Sequence, residues 1–290
     1  MIAGGSTIVR PGAVWTAWQW TASIVVPLAL CAAWYAIGVR ALWRRAGVGH
    51  GVRRWQVWCF AGGVATLAIA LLSPVDALAE TLFSAHMVQH LLLMLVAAPL
   101  LALGEPLLPA LWALPGERRL AIGRWWRASP RARRAVRAGC DPLGVWLANL
   151  AVLWFWHLPG PYLAALGDER LHALEHLTFL GAAFLFWWVV FQPIGRRRLA
   201  HGGAVVYLAL ALMQSGALGA ILAFARTPWY PAHAAGAAAW HLTVLEDQQL
   251  AGLIMSVPAS LVYIGVALAL AARWFVLDPA PRRRGRLSPG

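Results

Sequence analysis

The chain has 290 residues, 61% of them hydrophobic and 12% charged, with 18 tryptophans. Soluble domains carry about 45–50% apolar and about 25% charged residues, so this composition excludes a soluble globular protein, a disordered chain and a collagen-like fibre. The net charge of +13 rests on 24 basic residues, all of them arginine, and their placement speaks for membrane topology rather than for nucleic-acid binding.

Apolar runs near the length needed to cross a bilayer predict spans at 20–39, 55–72, 82–103, 143–158, 171–194, 203–224 and 249–272. The fold class expected is all-α, a polytopic bundle of seven transmembrane helices forming one domain, 1–290, in the lipid bilayer. The first span starts late and is followed by arginines, not by a small-residue cleavage site, so it is expected to remain as an anchor. The third span opens with Phe83-Ser-Ala-His86-Met-Val-Gln-His90 and continues to Met94. After it comes the longest connection, an inner basic loop at 104–142. Pro106, Pro109 and Pro115 break its start, and 117–138 then reads as one arginine-rich helix lying on the membrane surface. The short fourth span ends at His157, and the fifth begins with His172-Ala-Leu-Glu-His176. A segment carrying His233, His241, Glu246 and Asp247 leads into the seventh span, which holds Met255 and precedes a basic tail at 273–290. Cys31, Cys59 and Cys140 form no C-x-x-C pair and read as small apolar fillers.

The connections 40–54, 104–142, 195–202 and the tail alternate along the chain and fall on one side of the membrane. They hold 21 arginines against Glu105, Glu117, Asp141 and Asp278, whereas the opposite side holds three arginines against seven carboxylates. Arginine bias puts the first side in the cytoplasm, with the N-terminus outside and the C-terminus inside. Seven of the nine histidines lie toward the outer side.

His86 and His90, and likewise His172 and His176, are four residues apart, so each pair shares one helix face. Singly, such residues are expected to hydrogen-bond to loops and headgroups. Two pairs at the same membrane level can supply four imidazoles to one ion, and ionisable groups inside a membrane are functional by default. Imidazole suits copper, zinc and iron, and thioether from Met87, Met94 or Met255 favours Cu(I). Glu175 and Asp247 are placed to tune the site, with His157 and His241 as further candidates. Two other chemistries fit the same residues. His172-x-x-Glu-His176 matches the inverted zincin pattern of a zinc peptidase. Bis-histidine ligation of haem would make the protein a membrane electron carrier. A transport path is not expected, because the inner halves of the spans offer few polar residues.

The stretch from Phe83 through His86, His90 and Met94 to Ala98-Pro99-Leu-Leu-Ala-Leu-Gly104-Glu-Pro106 resembles the signature of the CtaG family (caa-type) of cytochrome c oxidase assembly proteins. His172-Ala-Leu-Glu-His176 leading to Phe186-Trp187-Trp188 is similar to that family's second histidine segment. Asp247-Gln-Gln-Leu-Ala-Gly-Leu-Ile-Met255 leading to Val257-Pro258 is similar to its last. Ser256 stands where the pattern leads one to expect tryptophan, at a packing position. The resemblance implies a multi-pass protein of a bacterial-type plasma membrane, without enzymatic turnover, that supplies copper to a cytochrome c oxidase subunit. Position by position it implies His86, His90, His172, His176 and Asp247 as the metal residues.

Overall fold

The structure is a computed structural model and describes residues 8–191, 199 and 201–277. Arg196, Arg197 and Arg198, and the arginines of the tail beyond Arg273, lie outside the described residues. All regular structure among the described residues is helical. A 3₁₀ turn (Pro11–Thr16) precedes α1 (Ala22–Ala46) and α2 (Arg54–Leu72). The short α3 (Pro74–Thr81) leads into α4 (Phe83–Leu103). The connection after it folds into α5 (Leu107–Trp112), α6 (Gly116–Ala128) and α7 (Pro130–Gly139). Then follow α8 (Pro142–Trp156), α9 (Pro159–Gly167), α10 (Glu169–Phe191) and α11 (His201–Ala223). A 3₁₀ turn at Pro231–His233, the short α12 (Ala234–Ala239) and α13 (Val244–Leu277) complete the order.

Six of these helices are long and apolar enough to cross a membrane: α1, α2, α4, α10, α11 and α13. The fourth predicted span is a different case. Its 15 residues rise about 22 Å, short of a hydrocarbon core of about 30 Å. It makes a seventh crossing only with α7, to which it is joined at a bend of 52°.

The single arginine-rich helix expected at 117–138 is two helices. Pro130 begins the second, and its ring keeps the preceding Ser129 out of the helical region, at φ −106° and ψ 84°. Neither α6 nor α7 buries a residue. α1 runs seven residues past its predicted end, carrying Arg44 and Arg45 in its last turn, where cations meet the negative end of the helix dipole. α13 starts five residues early because Thr243 and Glu246 cap it reciprocally. Glu246 Oε2 accepts from the Thr243 amide at 2.8 Å, and Thr243 Oγ1 accepts from the Glu246 amide at 3.2 Å.

α4 is the most buried of the spans and α1 and α13 the least. Midway, α4 widens into a π turn at Leu92–Ala97, which ends just before Pro99. Proline has no N–H to offer the Leu95 carbonyl and crowds it, so the regular ladder cannot run through this point. α11 and α13 pack along their lengths, closest where Gly219 faces Gly252 and Ser256. Ser256 Oγ donates to the Gly252 carbonyl at 2.8 Å and fills the space that a Gly219 side chain would need. A tryptophan at 256 has no room against this seam. Small residues at a membrane helix crossing let the backbones approach, and here they hold the N-terminal half of α13 beside α4.

Candidate metal centre

α4 begins without a capping side chain of its own; Asp247 from α13 supplies one. Its Oδ2 accepts from the Phe83 amide at 2.8 Å and its Oδ1 from the Ser84 amide at 3.1 Å. Two otherwise orphaned donors are thereby satisfied by a buried carboxylate at the positive end of the helix. α10 starts in the same manner, with Asp168 Oδ1 accepting from the Arg170 and Leu171 amides at 2.7 and 3.1 Å. Helices fixed at their first turns carry the two histidine pairs.

The two pairs face one another. Ring centroids are 4.3 Å apart for His86 and His90 and 4.3 Å for His172 and His176. Across the helices they are 5.5 Å apart for His86 and His172 and 5.7 Å for His90 and His176. Glu175 joins them from α10, its Oε1 3.7 Å from Nε2 of both His86 and His90. Ligand atoms of His86, His172 and His176 all lie within 4.8 Å of one another, as do those of His86, His90 and Glu175. Glu175 is fully buried, His86 and His90 nearly so, and His172 and His176 keep partial exposure.

Eight polar atoms in this cluster are buried without a hydrogen-bond partner among the described residues: both ring nitrogens of His86 and His90, Nε2 of His172 and His176, and both Glu175 oxygens. An unsatisfied buried group costs about 1–3 kcal/mol, and native folds carry only a few. One nitrogen of each ring can face a common ion, so the four imidazoles with Glu175 are a candidate coordination set. A cation bonded to the imidazoles and balanced by Glu175 would offset the cost, because buried charges are tolerated when paired.

Neighbouring groups hold the cluster in place. Gln89 Nε2 donates to the Ala70 carbonyl at 2.8 Å and to Asp76 Oδ1 at 2.6 Å, tying the histidine helix to α2 and α3. Burial pushes the Asp76 carboxyl up to about 6 despite that bond. On the side of the short helices α9 and α12, Tyr162 lies edge-on to His86 at 5.2 Å and shares a 2.6 Å hydrogen bond with His233 Nε2. Tyr230 donates to the His157 carbonyl at 2.6 Å. Burial, and then the neighbouring His86, hold the His233 ring down to about 4, so it is neutral at physiological pH. A β-carbon on Gly236 would overlap the Thr81 carbonyl, so the 231–239 segment lies directly on α3. Nothing in the spacing of Tyr162, Tyr230 and His233 marks them as the cover of this site, since they sit in aperiodic, proline-flanked connections.

The remaining candidates fall in three places. Asp247 is the cap just described and belongs to neither ligand group. His241 is exposed in the connection before α13, at a left-handed φ of 58°. His157 ends α8 and is buried, its ring 6.3 Å from His90. Met94 and Met255 line a small cavity beside His90 and His157.

Residues 33–276 match the family model described as cytochrome c oxidase caa3 assembly factor (Caa3_CtaG). The chain belongs to this family. The matched range contains every residue of the cluster, its cover and its cap. Two mycobacterial proteins are also similar: the uncharacterized proteins Mb0105 of Mycobacterium bovis and MT0111 of Mycobacterium tuberculosis. Each is 28% identical over 283 residues, covering 92% of this chain and 40% of the relative. The chain thus spans less than half the length of these curated relatives. No solved structure matches the chain.

Proposed function

We propose that the protein is a membrane assembly factor for a haem–copper cytochrome c oxidase, binding copper at the histidine cluster and passing it to an oxidase subunit docked in a bacterial-type plasma membrane. The observation that carries the reading is the set of four imidazoles from two helices, converging with Glu175 and holding unpartnered ring nitrogens. Copper is the cargo, and family membership supplies the oxidase as its destination. Partial exposure of His172 and His176 suits a site that must release its ion. Orientation follows arginine bias: N-terminus outside, C-terminus cytoplasmic, and the cluster near the outer face.

We read the protein as having no turnover. Glu175 is directed at His86 and His90 and is shut away from solvent, where a peptidase base needs access to a substrate water. A haem reading has less support. The rings of the two pairs lie within van der Waals range of each other, and the adjoining cavity is about 30 Å³, far below what a macrocycle fills.

The test is His86→Ala combined with His176→Ala in the purified full-length protein. Expected are an intact helical fold, loss of the copper held by nitrogen ligands and low oxidase activity when the variant replaces the wild type in cells. Unchanged nitrogen-bound copper in a folded double variant would falsify the reading.

A further inference from the structure

One helical turn deeper along α4, the cavity of about 30 Å³ is lined by His90, His157, Met87, Met94 and Met255, with Gln214 at its edge. Three of the chain's five methionines meet here, two from α4 and one from α13. The volume holds a single ion with little else.

The decisive detail is His157. Its Nδ1 lies 2.7 Å from the Leu153 carbonyl oxygen, which can only accept, so Nδ1 carries the proton of the neutral ring. Nε2 therefore presents a lone pair, and 3.3 Å away stands Met87 Sδ, another lone-pair atom. No proton is left to join them. Both side chains are buried, His157 at 5% and Met87 at 1% exposure. Two donors converging without a hydrogen between them, one with its far nitrogen fixed to a backbone carbonyl, is how a metal-binding histidine is held. A separation of 3.3 Å also matches two ligands on one ion at bond lengths of about 2.0–2.3 Å.

We infer that the protein carries a second metal site, selective for cuprous ion, formed by His157 Nε2 and the thioethers of Met87, Met94 and Met255. The donor set is neutral and soft. Thioether selects Cu(I) over zinc or Cu(II), and a site without a carboxylate accepts one positive charge more cheaply than two. No redox step is involved: copper enters and leaves as Cu(I). His90 borders both this site and the outer cluster, its Nε2 3.7 Å from Glu175 and its ring 6.3 Å from His157, so an ion can exchange between them through that one imidazole. The inference takes only the identity of the ion from the proposed function; the converging lone pairs stand apart from it.

Full-length protein in detergent, titrated anaerobically with Cu(I) and examined by copper X-ray absorption, tests both readings. Wild type should bind two equivalents, with sulfur scatterers at about 2.3 Å in addition to nitrogen. Met87→Leu with Met255→Leu conserves volume, and should leave one equivalent in an all-nitrogen shell. His86→Ala with His176→Ala should leave one equivalent in a sulfur-containing shell. An all-nitrogen shell in the wild type, or sulfur scattering unchanged in the methionine variant, overturns the inference. A single nitrogen-bound ion would sink this site and leave the outer one standing. A single sulfur-bound ion untouched by the histidine variant would do the reverse.

Discussion

Asp247 shows how one side chain serves the site without touching it. It commits both oxygens to the Phe83 and Ser84 amides, three and two residues ahead of the first histidine on α4. A cap of this kind is worth about 1–2 kcal/mol, more when the carboxylate is buried. Asp247→Ala should therefore lower the thermal midpoint and weaken copper binding several-fold while the number of bound ions stays the same. Asn, itself a good cap, should restore most of both in Asp247→Asn. If both variants lose a whole copper equivalent, Asp247 is a ligand after all. The carboxylate was legible in the sequence as a functional residue and its job was not, because its partners lie 164 and 163 positions away and no local pattern reports that distance. The four clustered histidines were legible for the opposite reason: spacing of four puts each pair on one face wherever the helix goes.

Among the elements, the seam between α11 and α13 governs where that cap sits. Gly219 and Gly252 allow backbone contact there, and a β-carbon at Gly252 would press on the Ala223 and Gly219 backbones. Gly252→Leu is expected to cost about 3 kcal/mol, the upper part of the usual overpacking range, because backbone rather than a side-chain end must yield. Because α13 carries both Asp247 and Met255, copper binding should fall along with stability. A thermal melt and a Cu(I) titration of the same sample check this, and an unshifted melting midpoint would refute the role of the seam. The long apolar helices were readable from composition, since about twenty apolar residues have few alternatives in a bilayer. Two features were not: the π turn of α4 and the break at Ser129. The π turn arises just ahead of Pro99, and a proline within an apolar run does not say how the helix ladder will accommodate it. The break was written in Pro130 but masked by the continuous run of arginines on either side.

For the whole molecule, the asymmetry of charge sets an orientation that can be measured. Cys31, Cys59 and Cys140 are all free thiols, and Cys140 sits at the end of α7 with partial exposure. With Cys31 and Cys59 changed to serine, an impermeant maleimide should label Cys140 in inside-out vesicles and not in intact cells. Labelling in intact cells would reverse the topology and put the histidine cluster on the cytoplasmic side. Flanking positive charge acts at insertion, before any tertiary contact exists, which is why this expectation can be drawn from the sequence alone.

The 164 residues between α4 and its cap also set a clock. At about 5–20 residues per second, the ribosome takes about 10–30 s to reach Asp247 after finishing the first turn of α4. Throughout that interval the first histidine pair sits on an uncapped helix end, with the Gln89 bonds to α2 and α3 but without Asp247. On the proposed copper reading, the site would reach its full grip only once α13 has inserted and Asp247 caps α4, so a chain made no further than α11 would not yet sequester the ion.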